Sequence, residues 1–337
     1  MNKDNHIIII AEAGVNHNGD LALAQRMVAE ARKAGADYVK FQTAVPELVI
    51  SQFAPKAEYQ KETTGAGQSQ LDMCRAIHLP LSNYKGLAEL CRNEGIGFMS
   101  TPFDLVSIDC LVDIGMDYWK IPSGEITNLP YLRKIGALGG KVIMSTGMST
   151  LDEVEAAVQV LEKAGTPRSA VWLLHCTTQY PAPYESVNLR AMDALATLGC
   201  AGVGYSDHTC GTDVAVAAAG RGAVIIEKHF TLDRNLPGPD HKASLEPAEL
   251  AELVSRIRIA ETALGSGEKK VALAESPNME VARKSIVAAR DIKKGEILDY
   301  KNITVKRPGN GISPMRWDEI IGTRAIRDFC PDELIEV

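Results

Sequence analysis

The chain has 337 residues, too many for a single minimal domain and enough for one large and one small domain, and 45% of them are hydrophobic, so a sizeable core is within reach. Its 43 acidic against 36 basic side chains leave a net charge of -7, which excludes the basic stripe that a nucleic-acid surface needs. No apolar run approaches a membrane span, the polar start Met1 to His6 before Ile7-Ile8-Ile9-Ile10 lacks the features of a signal peptide, and Cys74, Cys91, Cys110, Cys176, Cys200, Cys210 and Cys330 form no CxxC pair, so they read as buried reduced thiols of a cytoplasmic protein.

From Ile7 to about Leu264, short apolar runs alternate with longer amphipathic ones. The pattern predicts eight strands: Ile7 to Glu12, Tyr38 to Gln42, Gly97 to Thr101, Tyr118 to Pro122, Lys141 to Thr146, Val171 to Cys176, Ala201 to Tyr205 and Ala223 to Lys228. Helices are expected between them, among them Leu21 to Lys33, Tyr84 to Asn93, Leu151 to Lys163 and Pro247 to Leu264. In the third, Val154, Val158 and Leu161 share a face, and Thr150 with Glu153 makes a capping box. Such repetition predicts an α/β chain folded as a (β/α)8 TIM barrel over residues 1–265, its strands buried on both faces. A doubly wound open sheet is the competing arrangement.

A barrel demands that chemistry gather just after each strand's last apolar residue. Those positions hold Glu12, Lys40, Gln42, Thr101, Lys120, Ser123, Ser145, Thr178, Tyr180, Ser206, His208 and His229. Two lysines and several hydroxyls at one mouth make an anion site. Some hydroxyls also cap helices, but capping does not account for Lys40 and Lys120, which face inward and are costly if unpaired. His208 and His229 follow two apolar runs separated by the small-residue stretch Gly211 to Gly220, a strand, helix, strand unit. If the two strands are parallel neighbours, the rings emerge side by side, where they can share one metal ion or simply cap hydrogen bonds at strand ends.

The segment Ala44 to Pro80, with Tyr59-Gln60-Lys61-Glu62-Thr63-Thr64, is too long for an ordinary connection and is expected either to cover a substrate or to be a surface excursion. Residues 266–280 read as a polar linker, and 281–337 as a small loop-rich β module with little core of its own.

Several motifs resemble the sialic acid synthases over almost the whole chain: Ala11-Glu12-Ala13-Gly14-Val15-Asn16-His17-Asn18-Gly19, Val39-Lys40-Phe41-Gln42, Lys120-Ile121-Pro122-Ser123-Gly124-Glu125, Ser145-Thr146-Gly147-Met148, Tyr205-Ser206-Asp207-His208-Thr209, Glu227-Lys228-His229-Phe230-Thr231 and Gly238-Pro239-Asp240-His241. The tail, with Lys306-Arg307-Pro308-Gly309-Asn310-Gly311, is similar to that family's antifreeze-like (SAF) domain. The resemblance implies condensation of phosphoenolpyruvate with an N-acetylmannosamine-type aldehyde and water to a nine-carbon 2-keto acid, N-acetylneuraminate, and phosphate. Its alternative within the family is an N,N'-diacetyllegionaminate synthase acting on 2,4-diacetamido-2,4,6-trideoxymannose. It further implies that His208 and His229 hold a divalent ion, usually manganese with magnesium or cobalt as substitutes. Lys40, Thr101, Lys120, Ser123, Ser145 and Ser206 stand where phosphoenolpyruvate is held, with Thr178 beside them. Glu12, Gln42, Tyr180 and Asp240 face the sugar; Glu12 suits either a general base or a stabiliser of the cationic carbon, and Asp240 either orients the aldehyde oxygen or protonates the alkoxide formed from it. Arg307 reaches a partner subunit's sugar in a domain-swapped homodimer. Two readings from other classes compete. A metal-dependent barrel hydrolase generally starts with His-x-His after the first strand, where this chain has Asn16-His17-Asn18; a non-enzymatic tail would bind ice or sugar, and for ice it needs a regular Thr or Ala face that Arg290 to Lys306 lacks.

Overall fold

The computed structural model describes residues 6–57, 60–61, 67 and 69–337; Met1 to Asn5, Tyr59 and Glu62 to Thr64, named above, lie outside the described residues. The chain divides into two compact units, Met1–Gly265 and Ser266–Val337.

In the first unit, eight strands pair in parallel: β1 (Ile8–Gly14), β2 (Tyr38–Thr43), β3 (Gly97–Pro102), β4 (Trp119–Ile121), β5 (Val142–Ser145), β6 (Val171–His175), β7 (Gly202–Asp207) and β8 (Ile225–His229). Each lies within two residues of its expected bounds. The order β3-β2-β1-β8-β7-β6-β5-β4 pairs the first strand with the last, Ile10 opposite Glu227 and Glu12 opposite His229, which an open doubly wound sheet does not do. The two ends of that order, β3 and β4, lie side by side without a hydrogen-bonded ladder, so the barrel is nearly closed.

Helices Leu21–Ala34, Asn83–Glu94, Leu151–Ala164 and Pro247–Leu264 form where the apolar periodicity predicts them. Thr150 and Glu153 satisfy each other's backbone amides, as a capping box should. Strand alternation then makes two apolar layers. Ile9, Ala11, Val39, Phe41 and Ile226 point outward to the helices. Ile10, Met99, Tyr118, Ile143, Leu174 and Ile225 point inward and plug the barrel.

The second unit has its own core, built on Ile286, Ile292, Leu298, Ile303, Phe329 and Ile335 around an antiparallel pair, β9 (Ser285–Ala288) with β10 (Ile303–Lys306). Residues read from sequence as a linker carry helical turns at Leu273–Glu275 and Ser276–Ala282. Among the cysteines, Cys91 and Cys176 are buried as expected, whereas Cys210 and Cys330 are exposed, because both sit in irregular connections rather than in the packed faces of helices or strands. Among the described residues no helix is long and apolar enough to cross a membrane.

Candidate active site

The period of two that plugs the barrel also builds its mouth. Two residues beyond the inward plug stand Glu12, Thr101, Lys120, Ser145, Cys176 and Glu227, joined by Lys40 beyond Tyr38 and Ser206 beyond Gly204. A Cβ on Gly204 would lie 2.4 Å from the Ile225 carbonyl oxygen, so only glycine lets β7 and β8 close there. Two residues further come Gln42, Phe103, Pro122, Thr178, His208 and His229. Both tiers line one cavity of about 270 Å³, which also takes in Ser123 and Tyr180. It brings together every residue expected at the site except Asp240 and Arg307.

The lysines are not left unpaired. Lys40 Nζ lies 2.9 Å from Glu12 Oε2 and 3.4 Å from Glu227 Oε2, and donates to Thr101 Oγ1 at 3.1 Å. Lys120 Nζ donates to Ser145 Oγ at 2.5 Å and stands 3.8 Å from Glu227 Oε1, which also accepts from Ser206 Oγ at 2.9 Å. All four charged groups are buried. Burial raises Glu12 to about 7, with Lys40 opposing the rise and Glu227 adding to it. For Glu227 burial acts in the same direction, but the ammonium groups of Lys120 and Lys40 outweigh it and hold the carboxyl at about 2. Two acids sharing one lysine have thus separated into an ionised one and one poised near neutrality. Lys40 is raised because Glu12 and Glu227 overcome its burial, while burial prevails at Lys120 and lowers it. Two lysine side chains over the single firm carboxylate of Glu227 leave the mouth attractive to an anion.

Hydroxyls complete that side. Ser123 Oγ accepts from the Gly147 amide at 3.0 Å and lies 3.2 Å from Cys176 Sγ. A Cβ on Gly147 would fall 2.3 Å from Thr178 Oγ1 and 2.9 Å from both Ser123 Oγ and Cys176 Sγ, so a side chain there would fill the cradle.

On the other side His208 and His229 face each other, ring centroids 5.5 Å apart, with the Tyr180 ring 4.2 Å from His208 and edge-on to His229 at 5.7 Å. Their strand ends are tied by a fully buried ion pair, Lys228 Nζ to Asp207 Oδ2 at 2.8 Å; Lys228 also donates to the Thr209 carbonyl, and Asp207 Oδ1 accepts from the Thr209 amide and hydroxyl. Burial lowers His208 to about 4 and His229 well below the usual imidazole range, so both rings are neutral. His208 Nδ1 donates to the Thr177 carbonyl at 2.7 Å, leaving the lone pair on Nε2. His229 Nδ1 is buried without a hydrogen bond among the described residues. Neutral rings suit cation ligation, and at His208 the Thr177 carbonyl also fixes the tautomer that turns a lone pair outward on Nε2. Among the described residues no set of three or more His, Cys, Asp or Glu forms a metal cluster, so such an ion would depend on water or substrate for further ligands.

Asp240 stands at the N-terminal end of the short turn His241–Ala243 beyond β8, its side chain making no capping bond there. Its carboxyl group is buried, and burial raises it to about 6. Arg307 belongs to the second unit, where its Nε donates to the Ala282 carbonyl at 3.1 Å. Glu227 and Cys176, which sequence reasoning did not assign to the site, stand in its inner tier. Counting by twos from Ile225 and Leu174 was the signal that finds both.

The NeuB family matches residues 27–269 and the SAF domain residues 283–336. The N,N'-diacetyllegionaminic acid synthase of Campylobacter jejuni subsp. jejuni is 52% identical over 97% of this chain and 98% of its own length. The enzyme of the same name from Legionella pneumophila is 47% identical over 94% and 89%. Among solved structures, the N-acetylneuraminic acid (sialic acid) synthetase of Leptospira borgpetersenii in complex with citrate superposes with a TM-score of 0.71 at 34% identity, covering 82% of this chain and 90% of that one.

Proposed function

Because the chain belongs to the NeuB family and carries an SAF domain, we propose that it joins phosphoenolpyruvate to an amino-sugar aldehyde, with 2,4-diacetamido-2,4,6-trideoxymannose preferred over N-acetylmannosamine as acceptor. The observation that carries the reading is the pairing, within one cavity, of a buried two-lysine cradle with two neutral imidazoles.

Lys40, Lys120 and the hydroxyls of Thr101, Ser123, Ser145, Thr178 and Ser206 bind the phosphate and carboxylate of phosphoenolpyruvate, and Glu227 keeps both ammonium groups aimed into the cavity. Gln42 and Tyr180 orient the sugar so that its carbonyl carbon meets C3 of the donor. His208 and His229 would hold a divalent cation, manganese or in its place magnesium or cobalt, which supplies Lewis-acid polarisation of the acceptor carbonyl when bound. Once the carbon-carbon bond forms, C2 is electron-poor and takes up water. Glu12, poised at about 7 and oriented by the Gln42 amide at 3.2 Å, accepts the proton of that water. The tetrahedral centre then releases phosphate by breaking its carbon-oxygen bond. Asp240, a protonated acid below about pH 6, gives a proton to the oxygen of the former aldehyde. The reading extends to a homodimer in which the tail bearing Arg307 serves a partner subunit's site.

The test is phosphate release from phosphoenolpyruvate with each sugar and a divalent metal, repeated after exhaustive chelation. Release with the diacetamido sugar that disappears on chelation and returns with manganese is expected. No release with any amino sugar overturns the synthase reading, and full turnover after chelation overturns the role of the histidines.

A further inference from the structure

A second, smaller pocket of about 130 Å³ adjoins the cavity and shares Gln42 and Phe103 with it. Pro46, Val49 and Ile50, from the short helix Pro46–Val49 and the residue after it, supply much of its wall. Cys74 and His78, at the end of helix Gln70–Ile77, complete it. His78 Nδ1 is occupied by the Cys74 carbonyl at 2.9 Å, and the pocket surface is almost all carbon.

Its position says which end of the site it serves. None of Lys120, Ser123, Ser145 or Ser206 lines it, so it lies away from the anion cradle. Gln42 does line it, and the buried Asp240 carboxyl lies near enough to the Cys74 thiol to act on it electrostatically. Gln42 and Asp240 are residues assigned to the sugar, so the pocket opens beside the acceptor.

A carbon-walled space of this size has room for methyl-sized groups, a water-sized group taking about 30 Å³. A hydroxyl entering it would exchange water for a wall that is apolar except at His78 and at Gln42, whose amide already donates to Glu12 Oε1 at 3.2 Å, and an acetamido group would bring an N–H and a C=O with the same penalty. A methyl group brings only apolar surface, whose burial is favourable. We propose that this side pocket receives the C6 methyl of a 6-deoxy amino sugar and selects such acceptors against those with a C6 hydroxymethyl group. The proposal rests on the synthase reading above and names the group that sets its specificity.

The comparison is between N-acetylmannosamine and its 6-deoxy analogue, which differ only at C6. Two readouts are taken on the full-length protein: kcat/KM by phosphate release, and affinity by calorimetry without phosphoenolpyruvate. A preference for the 6-deoxy sugar of about 10- to 100-fold is expected in both, the range in which an apolar pocket rejects an added hydroxyl. Val49→Thr, which exchanges a methyl for a hydroxyl at nearly constant volume, should cut that ratio by about 5-fold or more, and Cys74→Ser, which makes another part of the wall more polar, should act in the same direction. Equal kcat/KM and equal affinity for the two sugars, or a preference that survives both substitutions, overturns the pocket while leaving the synthase reading intact. Preferential binding of the 6-deoxy sugar with no phosphate released supports the pocket and overturns the synthase reading instead.

Discussion

The two units treat charge in opposite ways. In the barrel, Glu12, Lys40, Lys120, Asp207, Glu227 and Lys228 are all buried and meet one another or neighbouring hydroxyls. In the second unit, pairs such as Lys270 with Glu268, Lys293 with Asp328 and Arg316 with Glu319 join side chains that are all more than half exposed. Taking a charge out of water costs several kcal/mol that pairing only partly returns, whereas an exposed pair contributes little either way. A fold gains nothing in stability from the first arrangement, so a buried network at a cavity signals chemistry. Asp240 is a third case: a buried carboxyl with no ion pair or side-chain hydrogen bond among the described residues.

Substitutions should therefore separate function from stability in the mouth and leave both nearly untouched at the exposed ion pairs of the second unit. The largest effect is expected for Glu12→Gln, which preserves the shape of the protonated acid and its contact with Gln42 but cannot accept a proton. The kcat should fall by about 10³-fold, within the range for loss of an acid-base group, while KM for both substrates changes little. Near-normal turnover removes Glu12 from the proton transfer. Next is Lys120→Met. KM for phosphoenolpyruvate should rise by about 10²-fold, since a buried cation facing an anion is lost. The melting temperature should hold or rise, because Glu227 keeps Lys40 at 3.4 Å and Ser206 at 2.9 Å and a costly buried charge is gone. A collapse in melting temperature would show that the network is held for stability after all.

A smaller effect follows from Asp240, whose carboxyl is raised from 3.8 to about 6 by burial. The folded state binds a proton more tightly than the unfolded state, so the stabilisation is complete below about pH 4 and is lost as pH rises through 6. Asp240→Asn keeps the neutral form at every pH. Urea denaturation should show wild type losing up to about 3 kcal/mol relative to the variant between pH 4 and 7, at 1.36 kcal/mol per pH unit. Parallel pH profiles would mean that Asp240 is ionised in the fold.

The barrel was legible because its strands are continuous apolar runs of the right spacing, and the ends of those runs named Lys40, Lys120, His208 and His229 directly. Glu227 and Cys176 were harder, since each sits inside a run or at its edge, where composition says core and only the inward period of two says site. How Lys40 divides itself between Glu12 and Glu227 was beyond reach, because it depends on distances between strands far apart in sequence. The side pocket was hidden for the same reason: Val49 and Ile50 belong to a long connection with no period, and only its folding back against Phe103 makes a wall.

The smallest effect tests the other side of the contrast. Lys293 Nζ meets Asp328 Oδ2 at 2.8 Å with both side chains in water, and the contact raises the lysine, yet Asp328 Oδ1 also accepts from the Lys294 amide and keeps that bond when the lysine is cut back. Lys293→Ala should then shift the melting temperature by no more than about 1 °C and leave kcat/KM unchanged. Added salt should erase even that difference, because at 1 M ionic strength screening sets in over about 3 Å, whereas the penalty of Lys120→Met on phosphoenolpyruvate should persist, its partners being shielded from solvent ions. A shift of several degrees that salt does not touch would mean that the pair is held by more than its charges, and that the two units are built alike.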